Sequence, residues 1–171
     1  DVIQLRDKTL STSELIQTAI KIAALCRKHK VTFLINDRVD VALVSNADGV
    51  HLGKEDIPIN EARKLLGRNK IIGGTAHSLA EAKKCEKDGA DYIGYGHIYP
   101  TKTKYKPEKP KGTEQLKLIV SKTCIPVIAI GGISPANIDD VMKAGAHGAA
   151  VVGSVLKSSD PLNTLSLLRK K

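Results

Sequence analysis

The chain has 171 residues, 42% of them hydrophobic, enough for one domain with its own core and inconsistent with a disordered or fibrous class. Its formal net charge of +9, from 27 Lys and Arg against 18 Asp and Glu, points to an anionic partner: nucleic acid, a membrane surface or phosphorylated small molecules. Aromatic residues at 3%, with no Trp, leave few stacking platforms for single-stranded nucleic acid and shift the weight to phosphorylated small molecules; a merely solvated lysine-rich surface is the plain alternative. Cys26, Cys85 and Cys124 form no CxxC pair, which argues against a disulfide framework or zinc site and for a reducing, cytoplasmic setting. No apolar run approaches the roughly 18 residues of a membrane span, and no signal peptide opens the chain.

In chain order, strand-like runs are expected at 2–5 (VIQL), 31–36 (VTFLIN), 49–53 (GVHLG), 70–75 (KIIGGT), 91–96 (DYIGYG), 126–132 (PVIAIGG) and 149–154 (AAVVGS). Helical patterns fill the intervals between them except 38–48, which is read as a short turn. The clearest covers 12–29, with Leu15, Ile16, Ala19, Ile20, Ala23 and Leu25 at helical spacing. Ser11 with Glu14, and Ser78 with Glu81, are capping boxes; Ser134–Pro135 and Asp160–Pro161 put a cap before a proline at the first helical position. Three helices return to strands through NADG (46–49), DGAD (88–91) and AGAH (144–147), where an asparagine or glycine tolerates positive φ.

Strand, loop and helix repeated with short returns mean a parallel sheet with helical crossovers, a doubly wound sheet or a closed (β/α)8 TIM barrel. Seven strands are counted where a barrel needs eight. The expectation is therefore a single (β/α) barrel domain over 1–171 with its first strand and helix absent from this chain.

In such a barrel, function lies in the loops after the carboxyl ends of the strands. Those ends supply Gln4, Arg6 and Lys8, alternate residues on one face; Asn36 and Asp37; Asp56; Thr75 and His77; His97, Thr101, Thr103 and Lys104; Gly131 and Gly132; and Gly153 and Ser154. IGGI followed one strand later by VVGS suits a backbone phosphate cradle; the plain alternative is a pair of tight turns. Asp37 and Asp56 at neighbouring strand ends suit Mg²⁺, which is commonly held by one or two carboxylates plus phosphate oxygens; a helix cap and surface exposure are their plain alternatives. Arg6, Lys8 and Lys104 could neutralise a diphosphate. Two phosphate-competent zones suggest two phosphorylated substrates. Lone histidines such as His51 and His77 read as structural.

The blocks QLRDK, INDRVDVAL, DGVHLGKED, GADYIGYGHIYPTKTK, PVIAIGGISPANI and GAHGAAVVGSVL, spread from residue 2 to about 165, resemble the thiamine phosphate synthase family. The resemblance implies a (β/α)8 barrel that joins an aminopyrimidine methyl diphosphate to thiazole phosphate with Mg²⁺, releasing pyrophosphate. It implies that Gln4 orients the pyrimidine, that Arg6, Lys8 and Asn36 hold the diphosphate, and that Asp37 and Asp56 ligate the metal. Thr75 stands where the family often has serine. Thr101, Thr103, Gly132, Val152 and Gly153 would receive the thiazole phosphate, and Lys104 the leaving diphosphate. On this view Arg6, Lys8 and Lys104 are the catalytic charges, and the lysine-rich loop 97–112 is a lid. One position departs from the pattern: His97 stands where the synthases usually have proline, and GH here resembles the related thiazole tautomerases, whose histidine is an acid/base. The rivals are a Schiff-base aldolase, which would need an imine-forming lysine, and a basic RNA-binding module. The expected partners are phosphorylated small molecules, with neither nucleic acid nor membrane; a homo-oligomer is compatible with all of this.

Overall fold

Each of the seven expected apolar runs contributes to a strand in the computed structural model, which describes residues 1–101, 103 and 108–169; the run at 149–154 does so only in its first two residues, and Gly153 and Ser154 open a helix. The chain divides into two compact units, residues 1–75 with 87–91, and residues 76–86 with those from 92 onward.

The first unit carries β1 (Val2–Leu5), α1 (Thr12–Lys28), β2 (Thr32–Asn36), α2 (Val39–Ser45), β3 (Gly49–Leu52), α3 (Ile59–Leu66) and β4 (Ile71–Ala76). Its strands are parallel and pair in chain order, with Gln4 opposite Leu34, Ile35 opposite Val50 and His51 opposite Gly73. Phe33, Leu34 and Ile35 are all buried, as expected of a parallel strand covered on both faces. The Ser11 capping box forms as read, and α1 buries Leu15, Ala19, Ala23 and Cys26. That stripe is narrower than the sequence suggests: Ile20 and Leu25 are exposed, and Cys26 takes the inward position. The expected turn at 38–48 contains a helix, α2, whose cap residue Arg38 makes no side-chain cap bond.

The second unit carries α4 (Leu79–Lys87), β5 (Tyr92–Gly96), α5 (Gly112–Lys122), β6 (Val127–Ile130), α6 (Ile138–Lys143), β7 (Gly148–Ala150), α7 (Gly153–Leu156) and α8 (Pro161–Arg169). β5 and β6 are parallel with Ile93 opposite Val127, and β6 and β7 with Ala129 opposite Ala149. Ile93, Tyr95, Ile98, Leu116, Ile119 and Val127 form its core. Asp160 caps α8 as read, its Oδ1 accepting from Asn163 N at 3.0 Å. α6 begins later than Pro135, because the Asn137 side chain accepts from Ser134 N at 2.8 Å and holds residues 134–137 in a turn. Ser78 Oγ caps Glu81 N at 3.2 Å, and Glu81 Oε2 also accepts from His77 N at 2.7 Å.

The three returns follow one design. Asn46, Gly89 and Gly145 have positive φ, and the side chain two residues on accepts a strand N–H. Asp48 takes Phe33 N at 2.8 Å, Asp91 takes Ile72 N at 2.7 Å, and His147 Nδ1 takes Val127 N at 3.1 Å. Each acceptor ties the start of a strand to the next return and satisfies a backbone donor that pairing leaves over.

The architecture is α/β with parallel strands, seven of them among the described residues, where a closed (β/α)8 barrel has eight. No helix among them is long and apolar enough to cross a membrane.

Candidate active site

In the first unit the loop after β1 is folded by Asp7, whose Oδ1 accepts from Thr9 N, Thr9 Oγ1 and Leu10 N at 2.7–2.9 Å. Lys8, two residues beyond Arg6, leaves this turn and pairs with Asp37. Asp37 has a φ of 66°, in the left-handed region, and its N–H is held by the His51 carbonyl at 2.8 Å. A non-glycine residue in that region is uncommon and marks a backbone bent to aim a side chain. Asp56 folds back so that its Oδ2 accepts from Gly53 N at 2.7 Å, and it shares a hydrogen bond with Asp37.

Two carboxyls this close cannot both ionise freely. Burial pushes Asp37 up, but the hydrogen bonds from Lys8 and Asp56 and the charges of Lys8 and Arg6 outweigh it, leaving the group below its ordinary value. Burial, then the hydrogen bond with Asp37, push Asp56 above its ordinary value. The structure thus brings Arg6, Lys8, Asp37 and Asp56 together, as the sequence suggested. Gln4 and Asn36 stand at the ends of β1 and β2, the former exposed and the latter partly buried.

The donor chemistry of this pair suits a divalent cation, which would offset the repulsion between the two carboxylates. No cluster of three or more His, Cys, Asp or Glu suited to a metal occurs among the described residues. Two carboxylates with room for phosphate and water suit Mg²⁺ better than a metal that demands a full protein cage. Thr75 is the fourth strand's contribution: its Oγ1 lies 2.8 Å from His51 Nε2. Burial lowers the His51 pKa to about 4, against the pull of Asp37, so the ring is neutral at pH 7. His51, read from the sequence as structural, holds Asp37 through its carbonyl and Thr75 through its ring. Its signal lies in register, since the ring reaches Thr75 only because His51 sits opposite Gly73.

In the second unit, β5 runs across a cis Gly96–His97 peptide into a hydrogen-bonded segment. Ile98 N and Tyr99 N donate to the Ile130 and Gly131 carbonyls, and Lys111 N and Gly112 N to the His97 and Ile98 carbonyls, all at 2.8–3.0 Å. Gly131 and Gly132 both have positive φ; a Cβ on Gly131 would strike the Cα and Cβ of His97, and one on Gly132 would sit 2.8 Å from the Tyr99 carbonyl. The tight approach of this segment thus explains both glycines, so a phosphate cradle is not needed to account for them.

Farther along, Thr103 N donates to Thr101 Oγ1 at 3.3 Å, and a Cβ on Gly153 would lie 3.1 Å from Thr103 Oγ1. Thr101, Thr103 and Gly153 are therefore gathered, with Val152 exposed before α7. Beside Gly153, the buried Ser154 hydroxyl has no hydrogen-bond partner among the described residues. His97 is 6% exposed, and its ring makes no hydrogen bond to a described residue. Lys104, together with its part of the lid reading, lies outside the described residues.

The fold is a parallel α/β scaffold whose trailing loops carry paired carboxylates and cations in one unit and clustered hydroxyls beside a glycine in the other. Comparison with known proteins narrows the class. The family model described as thiamine monophosphate synthase matches residues 1–155. A thiamine-phosphate synthase of Chlorobium limicola is 49% identical over 160 residues, covering 94% of this chain and 76% of the relative. One from Chloroflexus aurantiacus is 47% identical over 159 residues, covering 93% and 73%. The solved thiamine phosphate pyrophosphorylase from Pyrococcus furiosus superposes with a TM-score of 0.91 at 41% identity, covering 99% of this chain and 81% of that one. The chain belongs to the thiamine monophosphate synthase family.

Proposed function

We propose that the protein is a transferase that couples 4-amino-2-methyl-5-hydroxymethylpyrimidine diphosphate with thiazole phosphate, giving thiamine monophosphate and pyrophosphate in thiamine biosynthesis. Family membership sets the reaction, and the juxtaposition of Arg6, Lys8, Asp37 and Asp56 carries the assignment to residues.

The C–O bond to the diphosphate breaks heterolytically, and the electron pair leaves with pyrophosphate. The resulting pyrimidinylmethyl cation is stabilised by its amino group, and the thiazole nitrogen lone pair then forms the new C–N bond. No protein nucleophile is required. The protein contributes charge at the leaving group and alignment of the two halves. Asp37 and Asp56 would hold Mg²⁺, and the bound ion would supply Lewis-acid neutralisation of the diphosphate. Arg6, Lys8, Asn36 and Lys104 bind the diphosphate oxygens, Gln4 orients the pyrimidine, and the Thr75 hydroxyl is aimed by His51. Thr101, Thr103, Gly132 and the Val152–Gly153 backbone receive the thiazole phosphate. The loop 97–112 acts as the lid, excluding water that would trap the cation.

A further βα unit beside β1 completes an eight-stranded barrel in the active enzyme. This reading is supported by the exposure of Val2 and Ile3, at 57% and 45%, on a strand paired with β2. The setting is cytoplasmic, in keeping with a biosynthetic role. Incubation with both phosphorylated halves should yield thiamine monophosphate and pyrophosphate with Mg²⁺ and none with chelator. Product formation that ignores chelation would refute the metal assignment, and no product from the chain with its completing unit would refute the reaction.

The buried ring of His97, which makes no hydrogen bond to a described residue, favours a second reading, tautomerisation of thiazole phosphate carboxylate with this imidazole as acid/base. His97→Ala should leave coupling within about threefold of the parent if the first reading holds, whereas loss of a catalytic acid/base lowers rates about 10²–10⁴-fold.

A further inference from the structure

His77 follows β4, and the reaction described above gives it no role. Its position is tightly set. The backbone N–H donates to Glu81 Oε2 at 2.7 Å, and ring Nδ1 lies 2.6 Å from the Gly96 carbonyl oxygen. A carbonyl oxygen can only accept, so Nδ1 carries the proton. The group it holds is the peptide from which the 97–112 loop departs. Immediately beyond it, the His97 and Ile98 carbonyls accept from Lys111 N and Gly112 N, and Ile98 N and Tyr99 N donate to the Ile130 and Gly131 carbonyls. Four backbone bonds and one histidine ring therefore pin both legs of the loop within a few residues. Two residues past this root the same strand of chain reaches Thr101, whose Oγ1 takes the Thr103 N–H, and then Thr103 beside Gly153.

We infer that His77 is a positioning residue: its donation to the Gly96 carbonyl holds the root of the loop and, through it, Thr101 and Thr103 on the phosphate-bearing substrate. The identity of that substrate as thiazole phosphate rests on the functional reading above. A ring that served only general packing would weaken every property of the protein alike. A ring that holds this root acts selectively on the ligand the loop carries.

The test uses the chain with His77→Leu, which keeps bulk and removes the donor, and His77→Asn, whose side-chain amide stands near the place of Nδ1. Amide exchange at Ile98, Tyr99, Lys111 and Gly112 should quicken about tenfold in His77→Leu and return near the parent rate in His77→Asn, the size expected for loss of one buried hydrogen bond. Thiazole phosphate affinity, measured by calorimetry, should fall about tenfold in His77→Leu, while pyrophosphate affinity with Mg²⁺ stays within about twofold. Unchanged exchange at those four amides would overturn the inference, as would equal losses of both ligands. If the parent protein fails to bind thiazole phosphate, the functional reading fails instead, and the exchange rates alone decide whether His77 holds the loop.

Discussion

Asp37 works under three constraints at once: a left-handed backbone held by the His51 carbonyl, an ion pair with Lys8 and a hydrogen bond with Asp56. Asp37→Asn keeps the shape and removes the charge that a divalent cation needs. Its kcat/KM for coupling should fall about 10²–10³-fold, the scale of losing one electrostatic contact to a developing anion, with the unfolding transition little changed. A loss below tenfold in steady-state assays would place the metal elsewhere. His51 allows a separate measurement. Its folded pKa, about 4, lies below the unfolded value near 6.5, so the unfolded state binds more protons between those values. Its stabilising effect is complete above about pH 6.5 and is lost as pH falls towards 4. In chelator, unfolding free energy should drop about 2 kcal/mol more between pH 7 and pH 5 in the parent than in His51→Gln, read by urea titration. At this scale the sequence was informative where parity alone decides: Arg6 and Lys8 alternate along the chain leaving β1, and Asp37 directly follows β2. It was silent on the contact between His51 and Thr75, which depends on the register of β3 against β4, and on Asp7, whose turn aims Lys8.

Elements were legible where a local signal carried them. Ser11 and Glu14 announce α1, and both bonds of the box form. Ser11→Ala should lower stability by about 1 kcal/mol, seen as a shifted urea midpoint with unchanged slope. α2 was read as a short turn, because seven residues behind an arginine with no capping bond offer neither length nor an N-terminal cap, and its Val39, Val41, Ala42 and Ser45 are buried by tertiary packing. α6 was misplaced because the Asn137 side chain competes with the proline signal and extends the turn. The returns showed their glycines and asparagine in the sequence. Their second function, with Asp48, Asp91 and His147 as strand acceptors, needed the neighbouring strand to be seen.

For the molecule as a whole, the parallel α/β class followed from the repeat of strand and helix, and family membership agrees with it. The seven strands expected from the sequence match the seven found among the described residues. The +9 charge takes on meaning through the anionic substrates: KM for the pyrimidine diphosphate should rise with ionic strength while kcat changes little, because screening weakens encounter and binding before it touches aligned groups. Residues on α7 and α8 keep apolar side chains exposed, Leu156 at 78% and Leu162 at 80%, a feature that helical periodicity gave no reason to expect. Burial there is a matter of what packs against the chain, which the chain's own pattern does not contain.

In the proposed reaction the first unit's cations and carboxylates form a metal–diphosphate site that draws off the leaving group without covalent catalysis. Calorimetric titration of inorganic pyrophosphate into the protein, with Mg²⁺ and with chelator, tests it most directly. The expected result is binding at least about tenfold tighter with Mg²⁺, a difference abolished by Asp37→Asn. Equal affinity in both buffers, unaltered by that substitution, would contradict the account.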